Sequence, residues 1–238
     1  MENKIEKIFS NLDIWRKLPK YQLERRLDIF FTIYLKEIVE VFYKEILNEK
    51  DIKLSEVIIP EFPLKKDDVA NEDKTLTRVF SSTNVDYVMF CEHKSKCIFI
   101  ELKTDIDSVD DEQFNYLTKA KDKKWNQIFE EVKKIEQHSG SSKKYTDLVN
   151  HINEQGKRIK DFSKLHEIDV IYIHPIATKI TKDKTEFNSI NFDFIVKNLS
   201  KEKDIISESF SKILQKIYTD SLERNDKKRE RYQYQTIY

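Results

Sequence analysis

Glycine and proline are scarce, because the chain of 238 residues contains only two glycines and four prolines. This scarcity argues against extended flexible linkers. No apolar run approaches the ~18 residues that a membrane-spanning helix requires. No apolar segment follows the starting residues Met1-Glu2-Asn3-Lys4 in the manner of a secretory signal. We therefore expect a single intracellular, cytoplasmic domain over residues 1–238, with no membrane partner.

The chain also lacks net charge, since 43 basic residues balance 43 acidic ones. Overall charge gives no electrostatic argument for a nucleic-acid partner, so any such contact must come from a local patch. The two cysteines, Cys91 and Cys97, fall outside every metal-ligand spacing pattern, and strand alternation places them on opposite faces of a predicted hairpin. We expect both to be packing residues without a disulfide.

Apolar periodicity predicts several amphipathic helices. Ser108 stands three residues before Asp111, a spacing typical of a capping box at a helix start. The predicted helices cover Tyr21 to about Asn48, Ser108 to about Gly140, a stretch around Tyr145 to Ile152, and about Glu202 to Leu222.

Short β-branched and aromatic runs predict the strands. The interval from Lys65 to Thr77 reads as a polar loop. Strands and helices in this order favour an α/β fold with a mixed sheet and helices on its faces. The predicted strands are Val57–Phe62, Val85–Glu92, Cys97–Lys103, Ile168–Ile173 and Phe192–Val196.

The two runs on either side of Lys94-Ser95 are expected to form a β-hairpin. A turn centred on these two residues sets Asp86 opposite Lys103 and Val88 opposite Glu101. Asp86, Glu101 and Lys103 then share one face of the hairpin. The other face is apolar, with Tyr87, Met89, Ile98, Ile100 and Leu102.

The cluster of Asp86, Glu101 and Lys103 is suited to binding a metal ion and activating water. Two converging carboxylates repel each other unless a cation lies between them, and hard oxygen ligands suit Mg2+ or Mn2+. A lysine beside a metal-bound water can help to deprotonate it or can stabilise charge that builds on phosphorus. Glu-X-Lys by itself means little in a chain with 36% charged residues, where exposed salt-bridge ladders are common. The motif supports a functional site here because it lies at the end of an apolar strand.

Asp86 followed by Glu101-Leu102-Lys103 resembles the signature of the PD-(D/E)XK nuclease superfamily, an acid on one strand and Glu-X-Lys on the next. The predicted element order matches the restriction-endonuclease-like core, αβββαβ, over about residues 21–175. The resemblance implies a mixed central sheet flanked by helices, with additional C-terminal helices over about residues 200–238. The segments Ser82-Thr83-Asn84-Val85-Asp86 and Ile100–Asp105 look similar to those of uncharacterised bacterial members.

The resemblance also implies roles for individual residues. Asp86 and Glu101 would bind Mg2+ or Mn2+, the Leu102 carbonyl would add a ligand, and Lys103 would orient or activate the attacking water. The reaction would be phosphodiester hydrolysis, with DNA as the expected substrate. Gln113 is a further catalytic candidate, because Gln113 and Tyr116 are similar to a Gln-X-X-X-Tyr motif of exonuclease-like members. One residue fewer separates them here, which weakens an exonuclease assignment.

Several alternatives stay open. Many members of the superfamily use an upstream glutamate, for which Glu37, Glu40, Glu45 and Glu61 are all candidates. The sequence does not choose between DNA and RNA, and a homodimer is reasonable because double-strand cleavage often needs two active sites. The main competing functions are a non-catalytic nucleic-acid or protein binding module on the same fold, a nuclease activated by a partner, and a structural cation site without a substrate.

Overall fold

The computed structural model of the protein describes residues 4–18, 22–65, 82–138, 142–159, 165–199, 201 and 204–235. Thirteen helices and strands lie within these ranges. They are α1 (Lys4–Trp15), α2 (Glu24–Glu45), β1 (Leu54–Lys65), β2 (Ser82–Cys91), β3 (Lys96–Leu102), α3 (Asp111–Lys121), α4 (Trp125–His138), α5 (Ser142–Gly156), β4 (Glu167–His174), β5 (Lys179–Lys182), β6 (Thr185–Asn191), α6 (Phe192–Leu199) and α7 (Ile205–Gln235).

The described strands form one six-stranded sheet in the order β1-β2-β3-β4-β6-β5. The pairs β1–β2, β2–β3 and β5–β6 are antiparallel. β3 and β4 run in the same direction, because the Ser95 carbonyl before β3 accepts from the Glu167 amide, and the Lys103 amide after β3 donates to the Ile173 carbonyl. The protein therefore has an α/β fold with a mixed sheet flanked by helices, as the sequence predicts.

The chain divides into two compact units. The terminal unit comprises Met1–Leu47, Leu102–Val109 and Tyr172–Tyr238, and the central unit comprises Asn48–Glu101 and Asp110–Ile171. The single domain expected over residues 1–238 stays a prediction.

Aromatic side chains fill the core of the central unit. The Trp125 ring lies 5.3 Å from Phe62 and 5.1 Å from Phe90, and Phe62 lies 5.9 Å from Phe99. Trp125 is 1% exposed. Burying rings of this size contributes a large share of the hydrophobic stabilisation of a unit.

The terminal unit is built around Phe210 of α7. Its ring packs edge-on against Phe31 of α2 at 5.0 Å and lies 6.1 Å from Phe9 of α1. The predicted helices over 21–48 and 202–222 thus correspond to α2 and α7, although α7 continues to Gln235. α1 was not predicted. No helix among the described residues is long and apolar enough to cross a membrane.

The long helix predicted from Ser108 to about Gly140 is wrong in two respects. It is two helices, α3 and α4, with a turn between them in which the Lys123 amide donates to the Ala120 carbonyl. The N-cap is Asp110, whose side chain accepts from the Gln113 amide at 2.8 Å. Ser108 instead donates its hydroxyl to the Asp105 carbonyl, closing a turn ahead of the helix.

The strand predicted over Phe192–Val196 is also wrong. These residues open the helix α6, and the side chain of Asn191 accepts from the Phe194 amide at 2.8 Å in the manner of an N-cap. The strand nearby is β6, which pairs with the short β5. The polar loop predicted over Lys65–Thr77 lies outside the described residues except for Lys65, which ends β1.

Candidate active site

The β2–β3 hairpin is confirmed, but its register differs from the predicted one. Tyr87 faces Ile100 and Phe90 faces Cys97, so the turn is centred one residue earlier than Lys94-Ser95. One step beyond Tyr87, the same register sets Asp86 opposite Glu101. The predicted pairs, Asp86 with Lys103 and Val88 with Glu101, are wrong, and Val88 faces Phe99.

The shift leaves the faces of the hairpin unchanged. Moving the register by two residues preserves the side of every side chain, because strand side chains alternate with a period of two. Asp86 and Glu101 therefore still share one face. Cys91 and Cys97 lie on opposite faces, and both are buried thiols without a disulfide. The other face is apolar, as expected, and every member of the set is buried: Tyr87, Met89, Ile98, Ile100 and Leu102.

Asp86 and Glu101 differ in their access to solvent. Glu101, next to the last residue of β3, is 1% exposed, whereas Asp86, in the middle of β2, is half-buried. Residues directly opposite each other in an antiparallel pair have Cβ atoms about 5 Å apart. The hairpin thus sets two acidic side chains side by side, one deep in the protein and one at its border with solvent.

Lys103 lies two residues after Glu101, just past the end of β3. Its amide donates to the Ile173 carbonyl at 2.8 Å, and the residue is 6% exposed. A lysine is rarely buried to this extent without a specific role or partner. Leu102, the residue between Glu101 and Lys103, ends β3 and is 1% exposed.

Gln113 reaches the strand that carries Asp86. It stands in the first turn of α3, and its Nε2 donates to the Asn84 carbonyl at 3.3 Å. Asn84 is two residues before Asp86 on β2, so the helix start and this strand meet at the acidic end of the hairpin. The Asp110 cap fixes the start of α3 and thereby the position of Gln113.

Glu61 is the candidate upstream glutamate that the central unit brings to this strand. β1 pairs Pro60 with Tyr87 and Phe62 with Val85, which leaves Glu61 opposite Asp86. Glu61 is exposed, has a left-handed φ of 50°, and accepts from the Asn84 side chain at 3.0 Å. A non-glycine residue in this conformation is uncommon and often marks a functional position.

The other three candidate glutamates lie on α2 in the terminal unit. Glu37 is exposed in a groove that it shares with Asn198 and Lys201, and Glu40 pairs with Lys44 at 3.5 Å. Glu45 is exposed at the last residue of the helix. Among the four candidates, Glu61 is the one that belongs to the same unit as Asp86 and Glu101.

Asn84 is a site residue to which the sequence analysis assigns no role. It accepts from Gln113 through its carbonyl and donates to Glu61 through its amide, joining two of the candidate site residues. The signal that could have found it is alternation, since Asn84 is two residues before Asp86 in the same strand.

The donor set fits a hard divalent cation with few protein ligands. In the described part of the chain, no three His, Cys, Asp or Glu side chains converge closely enough to hold a metal by themselves. Mg2+ commonly uses one or two carboxylates and keeps several waters, and a main-chain carbonyl can add a ligand. Asp86 and Glu101, together with the Leu102 carbonyl, are the residues that could supply this smaller set.

His174 is the last residue of β4 and lies in the same unit as Lys103. Its Nδ1 accepts from the amides of Ile176 and Ala177 at 3.2 and 2.9 Å, and the ring is also hydrogen-bonded to the backbone of Ile106. Burial lowers the pKa of His174, and Lys103 adds a repulsive contribution in the same direction. Backbone hydrogen bonds therefore hold the ring at the end of β4.

The fold and the hairpin define an α/β protein with an acidic pair at one end of an antiparallel strand pair. The chain matches no protein-family model, no curated protein and no solved structure in the comparisons with known proteins. A functional assignment must therefore rest on the residues themselves.

Proposed function

We propose that the protein is a metal-dependent nuclease of the PD-(D/E)XK superfamily that hydrolyses phosphodiester bonds of DNA. The observation that carries the proposal is the β2–β3 register, in which Tyr87 faces Ile100. Its continuation by one step sets Asp86 opposite Glu101, with Lys103 two residues further along the chain. The order α2, β1, β2, β3, α3 and β4, with β4 parallel to β3, supports a restriction-endonuclease-like core.

Each residue has a role in the proposed reaction. Asp86 and Glu101 hold the cation, with the Leu102 carbonyl as a further ligand. Bound Mg2+ or Mn2+ would supply a water of lowered pKa and positive charge beside the scissile phosphate. Lys103 orients that water and stabilises negative charge that develops on phosphorus. Gln113, anchored through Asn84, orients the substrate backbone at the border of the site.

The different burial of Asp86 and Glu101 suits their proposed roles as metal ligands. Glu101 is withdrawn from solvent, whereas Asp86, in the middle of β2, is half-buried and open to an approaching substrate phosphate. A carboxylate in a protected position binds a cation more strongly, since screening by water and salt is weaker there. The pair therefore has one firmly held ligand and one ligand at the point of entry.

Cleavage of a mixed panel of nucleic acids tests the proposal. Plasmid, linear double-stranded DNA, single-stranded DNA and RNA are incubated with Mg2+, Mn2+ or EDTA. Metal-dependent cutting is expected for the wild type and for Asp51→Asn, a control that changes an exposed aspartate of the same unit. Asp86→Asn and Lys103→Met should each lower the rate at least about 100-fold.

The outcomes distinguish the alternative functions. If the wild type cuts nothing but calorimetry detects Mg2+ binding that Asp86→Asn abolishes, a binding module or a partner-activated nuclease replaces the proposal. Cutting of RNA alone would change the substrate class. Sedimentation with and without DNA tests the homodimer that double-strand cleavage would favour.

A further inference from the structure

The segment that follows Lys103 forms a tight turn within the terminal unit. The Asp107 amide donates to the Asp105 side chain at 2.9 Å, and the Ser108 hydroxyl donates to the Asp105 carbonyl at 2.6 Å. Asp105 and Asp107 are exposed, whereas Ile106 between them is half-buried. The turn thus presents two carboxylates towards solvent within a few residues of Lys103.

Two cations of α7 hold these carboxylates. Arg224 donates through Nη1 to Asp105 at 2.7 Å and through Nη2 to Asp107 at 2.5 Å, so one guanidinium bridges both acids. The Lys228 ammonium contacts the other oxygen of Asp107 at 2.5 Å. These contacts join parts of the chain that are more than one hundred residues apart. We call Arg224, Lys228, Asp105 and Asp107 the α7 clamp.

The clamp continues a ladder of charges along one face of α7. Residues four apart lie above one another on a helix, and the positions before Arg224 on this face are Asp220 and Lys216. Asp220 pairs with Arg16, and Lys216 pairs with Asp13, both from the region of α1. The face is therefore tied to α1 at one end and to the turn after Lys103 at the other.

The turn is also held by β4. The His174 ring is hydrogen-bonded to the Ile106 backbone, and the Lys103 amide is bonded to the Ile173 carbonyl. β4 therefore supports Lys103 and Ile106, while α7 supports the residues on either side of Ile106. The position of Lys103 depends on both supports, because only the short turn separates it from the clamp.

The exposure of the clamp side chains limits their contribution to the stability of the fold. The side chains of Arg224 and Lys228 are 50% and 41% exposed. Exposed ion pairs contribute little to global stability, but a guanidinium that bridges two carboxylates fixes direction as well as distance. The expected effect is therefore local order in the turn, with little change in the unfolding equilibrium.

We infer that Arg224 and Lys228 are positioning residues, which hold the turn after Lys103 and so keep that lysine aligned for phosphodiester cleavage. The inference rests on the proposed nuclease function for its catalytic part, whereas the ordering of the turn is independent of it. Neither residue is expected to touch the substrate. Loss of the clamp should therefore lower kcat more than it changes KM, because misalignment affects the reacting groups and leaves binding in place.

Hydrogen exchange tests the structural part. The variants are Arg224→Gln and Lys228→Gln, with Lys227→Gln as a matched control, an exposed lysine on the same helix that takes no part in the clamp. Amide exchange over residues 103–109 should rise about 10-fold in the double clamp variant and stay unchanged in the control. In the wild type, 1 M NaCl should raise exchange of the same segment and leave buried β3 unaffected. Unchanged exchange in both experiments would overturn the inference.

Kinetics test the catalytic part. The double variant should lose about 10- to 100-fold in kcat with KM nearly constant, and Arg224→Lys should recover part of the loss because its ammonium can still reach one of the two acids. Faster exchange with normal kcat would refute a positioning role and leave the clamp a purely structural contact. If the wild type does not cleave, the nuclease proposal fails, and exchange alone then decides whether the clamp orders the turn.

Discussion

Removing one charge from the acidic pair should stabilise the metal-free protein. Asp86 stands opposite Glu101 in the hairpin register, and facing Cβ atoms lie about 5 Å apart. With their carboxylates about 6 Å apart and an effective dielectric constant of about 20, two unit charges repel by about 3 kcal/mol. The half-buried position of Asp86, screening by salt and the further interactions that both acidic residues make reduce this to about 1–2 kcal/mol. Asp86→Asn keeps the shape of the side chain and removes the repulsion.

Thermal melts with and without metal measure the effect. In EDTA, Asp86→Asn should melt several degrees above the wild type, since 1 kcal/mol corresponds to about 2–4 °C for a chain of this size. A cation with a Kd of about 1 mM stabilises by about 1.4 kcal/mol at 10 mM. Mg2+ should therefore raise the Tm of the wild type by about 3–5 °C and leave that of Asp86→Asn unchanged.

Two further variants complete the test. Asp51→Asn, with its exposed carboxylate, should melt like the wild type under both conditions. Glu61→Gln should weaken the Mg2+ response only if Glu61 is a metal ligand. The reasoning is refuted if the wild type ignores Mg2+ and Asp86→Asn melts at or below the wild type in EDTA, because the pair would then be neither strained nor a cation site.

Three other predictions concern groups outside the acidic pair. Lys96 is 6% exposed; burial lowers its pKa, but three surrounding carboxylates outweigh burial, and the net pKa is raised. Lys96→Met should therefore lower the free energy of unfolding by about 1–3 kcal/mol in urea titrations. The matched change at the more exposed Lys94, Lys94→Met, should cost less than about 1 kcal/mol. Burial lowers the pKa of His174, so this residue binds a proton more readily in the unfolded chain than in the folded one. The free energy of unfolding should therefore be at its full value above about pH 6.5 and decrease below it. His174→Asn should remove that part of the pH dependence in calorimetric melts. Burial raises the pKa of Cys91 to about 12 and that of Cys97 well above its ordinary value. Neither thiol should therefore react with a disulfide reagent at pH 8 until the protein unfolds. Rapid labelling of the native protein would contradict this prediction.

The sequence predicts the faces of the hairpin more reliably than its register. The choice of face depends on alternation, and Asp86 and Glu101 keep the same side under any shift of two residues. The register depends on the turn, and four polar residues without glycine or proline do not specify where its centre lies. The prediction that the two acids share one face of the hairpin therefore agrees with the observed register, whereas the partner predicted for each acid is wrong.

The errors in the helices and strands have local physical causes. Apolar residues stand at helical spacing on both sides of the turn, at Phe114 and Leu117 and again at Trp125 and Ile128, and no glycine or proline separates α3 from α4. Phe192, Phe194 and Ile195 have high strand propensity, but the Asn191 cap and the burial of one face by Phe192, Ile195 and Leu199 favour a helix. β5 is missed because it has only four residues and none of them is fully buried.

The α7 clamp could not be predicted from periodicity at all. Arg224 and Lys228 lie at helical spacing in a strongly charged segment, a pattern that usually marks a solvated face. Their partners, Asp105 and Asp107, are more than one hundred residues away in the sequence. Pairings at such separation depend on the tertiary fold, so only the coordinates assign them.

The acidic pair is the strongest argument that this hairpin binds a ligand. Like charges directly opposite each other in a sheet are destabilising, whereas opposite charges there are favourable. The neighbouring pairs on this face of the hairpin avoid such repulsion because they are apolar: Val88 faces Phe99 and Phe90 faces Cys97. The departure from this rule is confined to the step at which Glu-X-Lys ends the strand. Local conflicts of this kind concentrate at functional sites, where a ligand compensates for them. A divalent cation between Asp86 and Glu101 would convert the repulsion into binding energy, and Asp86→Asn would remove the strain and the binding together.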